Sequence, residues 1–214
     1  MKIQWLGHAC FLLTSAAGVR LLTDPFDPHV GYPPPAVEAD IVTISHSHSD
    51  HSYTQVVKGQ FETVDQPGSR TVCGIQILGL PTFHDEAGGS KRGKNVLFRY
   101  SVDGLNVVHC GDLGHPLTAE QVQALGMVDV LIVPVGGYYT IDPTAAMQVI
   151  GQLKPALTIP MHFKTPVLDF PIQTVDPFLE LAGTGRRAGS TVIEVTRETL
   201  PDQAGVVVLD YPAA

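Results

Sequence analysis

The chain has 214 residues, 44% of them hydrophobic and 16% charged, which is enough to bury a full core without covalent staples. Thirteen basic against 21 acidic residues leave a formal charge of −8. That acidity weighs against a nucleic-acid partner, which usually leaves a basic footprint.

The first half is strand-like and short-turned. Apolar runs at 3–7 (IQWLG), 10–14 (CFLLT) and 19–23 (VRLLT) predict a meander, with SAAG at 15–18 as a hairpin turn. The prolines and glycine of DPFDPHVGYPPP (24–35) predict a long irregular segment. A buried strand is expected at 41–44 (IVTI), then a short helix at 53–58. RTVCGIQILGLPTF (70–83) is strand material, and 95–102 and 105–110 form a hairpin about Asp103-Gly104.

The second half changes rhythm. T-x-x-Q at 118–121 opens a helix with a capping box that runs to 125. Asp142-Pro143 and Asp176-Pro177 each place an N-cap before a first-turn proline, predicting helices to about 153 and over 177–182. Strands are expected at 130–135, 156–160, 191–196 and 205–210. Meanders followed by alternating helices and strands predict an α+β architecture, an αβ/βα four-layer sandwich of two mixed β-sheets flanked by helices, as one domain over 1–214. Three widely spread cysteines, Cys10, Cys73 and Cys110, make no complete disulfide framework, so a reducing cytoplasm is the expected compartment. No uninterrupted apolar run approaches the roughly 20 residues of a membrane span, and the N-terminus does not read as a signal peptide.

Residues 43–52, TISHSHSDHS, carry His46, His48, Asp50 and His51 directly after the predicted strand at 41–44. Residues two apart in extended chain point the same way, so His46 and His48 can grip one ion. Asp50 and His51 face another direction unless the backbone turns, so one loop offers two ligand sets. Neutral imidazole and carboxylate suit zinc and similar divalent ions. The serines between these residues read as small polar spacers. Further donors, His84, Asp112 and His162, each follow a strand-like run, and strand ends on one edge of a sandwich converge.

That order of ligands, H-x-H-x-D-H and then His, Asp and His at later strand ends, resembles the metallo-β-lactamase superfamily. WLGHACFLL (5–13), TDPF (23–26), PVGGYYTID (134–142) and IPMHFKT (159–165) are similar to its lactonase-like and phospholipase-D-like branches, the simple metal-dependent hydrolases. The resemblance implies the metallo-β-lactamase fold. It also implies that His46, His48 and His84 hold one metal, that Asp50, His51 and His162 hold a second, and that Asp112 bridges the two ions about 3.5–4 Å apart. Zinc is the expected metal, with manganese and iron accepted by the same donors. Between two cations the pKa of water falls to about 7, so hydroxide is available to attack an ester, lactone or phosphoester of a small anionic molecule. Asp50 is expected to orient that water or to take its proton, and the resemblance places His8 beside the metals as a second catalytic candidate.

Other polar residues have two readings each. Asp24 either caps its Asp-Pro turn or orients a ligand histidine. His115 either lines the pocket or sits on a loop, His29 reads as surface, Cys110 as core and Asp142 as a cap. The segment 85–94, with Lys91, Arg92 and Lys94, is either a solvated hairpin loop or a mobile lid that binds an anion. Tyr138, Tyr139 and Lys164 complete the candidate substrate contacts. Alternative functions are an iron-dependent redox enzyme of the same superfamily, a phosphodiesterase or nuclease, and a non-catalytic protein that uses metal for stability. A homo-oligomer is compatible with the sequence.

Overall fold

The computed structural model describes residues 1–212, folded around two β-sheets. The strands are β1 (Lys2–Gly7), β2 (Cys10–Thr14), β3 (Arg20–Thr23), β4 (Ile41–Thr43), β5 (Glu62–Val64), β6 (Gly68–Val72) and β7 (Ile75–Phe83). They continue as β8 (Lys94–Val102), β9 (Leu105–His109), β10 (Val130–Pro134), β11 (Leu157–Met161), β12 (Arg186–Arg187), β13 (Val192–Glu194) and β14 (Gly205–Val208). The α-helices are α1 (Ser49–Ser52), α2 (Ala119–Leu125), α3 (Pro143–Leu153) and α4 (Asp176–Ala182). One sheet runs β13-β1-β2-β3-β4-β5, and the other runs β12-β14-β11-β10-β9-β8-β7-β6. Both are mixed: β1, β2 and β3 pair antiparallel while β3, β4 and β5 pair parallel. Likewise β6 to β9 form an antiparallel meander, and β9, β10, β11 and β14 pair in parallel.

Period-two patterning explains the layering. In the six-stranded sheet Ile3, Trp5, Phe11, Leu13, Leu21 and Ile41 enter the main core with Phe98, Tyr100 and Val108 of the other sheet. The alternate positions Leu6, Cys10, Leu22 and Val42 enter a second apolar cluster closed by Phe26, Val30, Tyr32, Leu168 and Ile172. The proline-rich segment after β3 therefore covers the outer face there, with only a 3-10 turn at Pro28–Val30. Strands β10 and β11 are buried at every position, as parallel strands covered on both faces must be. Among the described residues no helix is long and apolar enough to cross a membrane.

Local signals held well. Thr118 and Gln121 make the reciprocal capping box of α2, and Asp142 accepts from the Ala145 N–H at 2.8 Å to cap α3. Asp103 (φ 51) and Gly104 (φ 75) give the left-handed pair of a type I′ hairpin turn. The strand material at 70–83 forms parts of two strands, folded back as a hairpin about Cys73 (φ 49) and Gly74 (φ 80). Two readings need correction. Residues 53–58 yield only a 3-10 turn, Thr54–Val56. In α4 the capping device fails: Asp176 is already helical, and its carboxylate instead accepts from the Thr174 hydroxyl and pairs with Arg187. A carboxylate caps only when it precedes the helix with extended φ/ψ, and here Val175 occupies that place with helical angles.

Candidate metal centre

Six strands end at one rim of the sandwich, and each hands its next residues to a single cluster. His8 follows β1, Asp24 follows β3, and Ser45 to His51 follow β4. His84 follows β7, Asp112 follows β9 and His162 follows β11. Three of these residues, His8 (φ 53), Asp24 (φ 41) and His162 (φ 52), have left-handed backbone, which costs strain and turns each side chain sharply off its strand.

The structure brings together every residue named as a ligand. Ring nitrogens of His46, His48 and His84 lie within 4.8 Å of one another, with His46 Nε2 3.0 Å from His48 Nδ1. His51, in the short turn of α1, has its ring 4.3 Å from that of His46, and these two form a further close group with Asp112. Asp112 lies between the groups. Its Oδ2 is 3.1 Å from His84 Nε2 and 3.5 Å from His162 Nε2, and its Oδ1 is 3.3 Å from His51 Nε2. Asp50 Oδ2 is 3.6 Å from His51 Nε2 and 3.2 Å from His8 Nε2. His8 is fully buried, its ring 4.3 Å from that of His162 and edge-on to Phe170. It belongs to the same tight group as His51 and His162, which the sequence had placed with Asp50.

The electrostatics match a cation. Burial pushes the His46 and His162 pKa values down to about 3, so both rings are neutral donors. Burial opposes ionisation of Asp112, but the surrounding histidines hold it far below the usual carboxylate range, and Asp50 is lowered in the same way. His51 is the exception. Burial disfavours its charge, yet Asp112, Asp24 and Asp50 together raise its pKa well above that of a free imidazole. A proton on His51 neutralises carboxylates that a bound cation would neutralise instead, so metal binding would release it. Buried polar atoms without hydrogen bonds are rare in proteins. Here His51 Nε2, Asp112 Oδ1 and the Nδ1 atoms of His8, His84 and His162 are all in that state. Imidazole and carboxylate atoms left in this way fit a divalent ion.

Supporting residues include several that carry no motif. Asp24 is buried and accepts from Ser45 N–H (2.8 Å), Ser45 Oγ (2.6 Å) and His51 Nδ1 (2.9 Å), so orienting a histidine is its role. The serines flanking the ligands are engaged as well: Ser45 donates to Asp24, and Ser52 donates to His48 O. Asn95 donates to Cys110 O and accepts from Asp112 N–H at 3.0 Å, pinning the loop after β9. Gly111 is required there, since a Cβ would stand 2.5 Å from Asn95 Oδ1 and from Ser45 Cβ. His109 lies outside the cluster: it bonds Ala9 O at 2.8 Å and accepts from Gly111 N–H, tying the two sheets together. Cys110 is buried in the core, His115 bonds Phe83 N–H and Pro116 O, and His29 is exposed at the rim. Only pairing in space identifies Asn95, Ser45 and Asp85, whose types are common in turns.

The segment 85–92 is wound about one carboxylate. Buried Asp85 accepts from the N–H groups of Ala87 (2.8 Å), Gly89 (2.9 Å), Lys91 (3.0 Å) and Arg92 (2.7 Å). The structure therefore favours an ordered loop over a free lid. A cleft of about 440 Å³ opens over the cluster, with His48, Asp50, His84, Asp112 and His162 in its floor and Lys91, Arg92, Tyr139 and Phe170 in its walls. The Arg92 guanidinium lies over the rings of Tyr139 (5.1 Å) and Tyr138 (5.8 Å), while Lys91 is paired with Glu86. Lys164 is placed elsewhere. Its ammonium donates to Phe170 O at 3.0 Å and reaches Asp169, which props the wall rather than facing the cleft.

A family model described as a beta-lactamase superfamily domain matches residues 2–162. A metal-dependent hydrolase of Thermoplasma acidophilum is 30% identical over 211 residues, covering 86% of this chain and 92% of its own. The crystal structure of a candidate Zn-dependent hydrolase of the metallo-β-lactamase superfamily from Thermotoga maritima superposes with a TM-score of 0.83 at 44% identity, over 98% of each chain. A diiron β-hydroxylase from Streptomyces venezuelae reaches a TM-score of 0.63 over 98% of this chain and 52% of its own, at 13% identity. At that identity the likeness is one of fold alone.

Proposed function

The chain belongs to the metallo-β-lactamase superfamily as one of its metal-dependent hydrolases, and we propose that it holds two divalent ions and cleaves an ester, lactone or phosphoester of a small anionic molecule. His46, His48 and His84 would hold one ion, Asp50, His51 and His162 the other, and Asp112 would face both. The observation that carries this reading is the Asp112 carboxylate, which lies within 3.1 Å of His84 from the first set and within 3.3 and 3.5 Å of His51 and His162 from the second. Bound there, the ions supply Lewis acidity and a water of lowered pKa, with zinc as the expected metal and manganese or iron as alternatives.

The chain's own groups do the rest. Asp50 stands in the cleft floor with one oxygen held by His8, which fixes the carboxylate where it can accept a proton from attacking water. Asp24 holds His51 through Nδ1 and so leaves Nε2 as its donor atom. Arg92 and Tyr139 form the wall that meets an anionic substrate. Three free cysteines fit the cytoplasm.

The test combines metal content with a substrate panel. Two divalent ions per chain are expected, with hydrolysis of at least one lactone, thioester, phosphodiester or β-lactam lost in His48→Ala. Iron-loaded protein that consumes oxygen with a thiol but hydrolyses nothing would move the assignment to redox chemistry. Activity that survives His48→Ala with only a lowered melting temperature would leave the metal a structural role.

A further inference from the structure

The metal centre opens on two sides. Besides the cleft already described, a groove of about 700 Å³ starts at His46 and His48 and runs between the end of β7 and the segment after β5. His48 and Arg92 line both hollows, so the ligand cluster and the guanidinium stand at their junction. Both are mixed in character: the first has acidic and imidazole groups in its floor, and the groove sets Ile44, Pro67, Pro81, Phe83 and Val96 beside polar groups that include Asp65 and Lys94.

Phe83 is the informative side chain. Four large hydrophobic residues among those described are exposed, and a single exposed one is ordinary. Two of the four lie near Arg92: Phe83, at 38% exposure, lines the groove with it, and Tyr138, at 66%, lies under its guanidinium. Exposed apolar surface beside a concave polar centre is characteristic of ligand sites. Arg92 completes the pattern. Lys91 has Glu86 as its counter-ion, but no carboxylate within salt-bridge distance neutralises Arg92 among the described residues. Its backbone N–H is held at 2.7 Å by Asp85, and its guanidinium rests on two rings, so the charge is fixed in place.

We propose that the groove is a subsite for an apolar arm, and that the substrate is an anionic amphiphile whose charged group lies beside Arg92 and whose alkyl or aryl chain runs along Phe83. The scissile bond would then lie at the junction, over His48. This rests on the hydrolase reading, but binding alone tests it, so a failure to find turnover leaves it intact.

The experiment titrates the zinc-loaded protein with acetate, butanoate, hexanoate and octanoate and follows Kd by calorimetry. Complete burial of each methylene would tighten binding by roughly four-fold, and an open groove should give about two-fold per methylene. Phe83→Asn should flatten this dependence while leaving acetate affinity unchanged, since it removes apolar surface without adding charge, and Pro67→Asn, on the groove's surface away from the core, should act in the same direction. Phe170→Asp, in the wall of the first cleft, should leave the slope intact. Arg92→Ala should weaken every member of the series by a similar factor. No dependence on chain length in the unmodified protein would overturn the proposal. So would a slope that survives both groove variants, or one abolished by Phe170→Asp instead.

Discussion

Asp24 illustrates how a residue with two readings becomes a single one. In the sequence it precedes proline and fits a turn as well as a metal site. In the structure its two oxygens are consumed by Ser45 and His51, with no solvent contact. Asp24→Asn is the sharpest probe, because asparagine tolerates the same left-handed backbone while losing the charge that holds His51 Nδ1–H. Metal affinity at the His51 side should fall by about 10–100-fold, read by competition with a chromophoric chelator. Equal affinity in the variant would mean that His51 needs no orientation or is not a ligand. Most of the site was legible at this scale: all seven ligand positions are residue types that bind metal, and all seven meet. Lys164 was not, since a lysine two residues beyond a ligand can face either side of the chain. Here the carbonyl of Phe170 captures it.

Among elements, the segment from Asp85 to Arg92 changed most in meaning. Its glycines and cations suggest mobility, but four N–H groups converging on one buried carboxylate give it order. Burial pushes the Asp85 carboxyl up, and the four backbone donors bring it down to about 2. A carboxyl that titrates lower in the folded state than its free value near 3.9 stabilises that state above pH 4. The contribution is lost as pH falls from about 4 to about 2. Amide protection of Ala87, Gly89, Lys91 and Arg92 should therefore hold from pH 7 to about 4 and disappear below that, ahead of the core strands. Protection that is already low at pH 7 would restore the mobile-lid reading. The helices were legible almost to the residue where capping chemistry is local, as in α2 and α3. The hairpin inside 70–83 was not, because cysteine before glycine is a weak turn signal beside the apolar runs around it.

At the scale of the molecule, the rim of strand ends holds five buried polar atoms with no hydrogen bond, alongside a His51 whose proton is sustained by carboxylates. Such a cluster makes folding and ion binding one linked equilibrium. An ion present at about 100 times its Kd adds about 2.7 kcal/mol, which for a chain of this size raises Tm by about 5–10 °C. Thermal melts with zinc, manganese or ferrous iron against a chelator control measure this. A Tm that moves with none of them would argue that the cluster is held by its own hydrogen bonds.

By itself the sequence brought out the metal-ligating residue types and the fold class. Ligand types are chemically few, their spacing is local, and the alternation of apolar residues shows which strands are buried. Tertiary structure alone decided what supports and surrounds the ligands. Asn95, Ser45, Asp85 and His109 act through partners 10 to 100 residues away or through backbone groups that carry no residue-specific signal. The second groove also belongs to that class, since it is formed where segments distant in the chain pass one another. Its apolar residues, among them two prolines, a phenylalanine and a valine, taken singly read only as strand and turn.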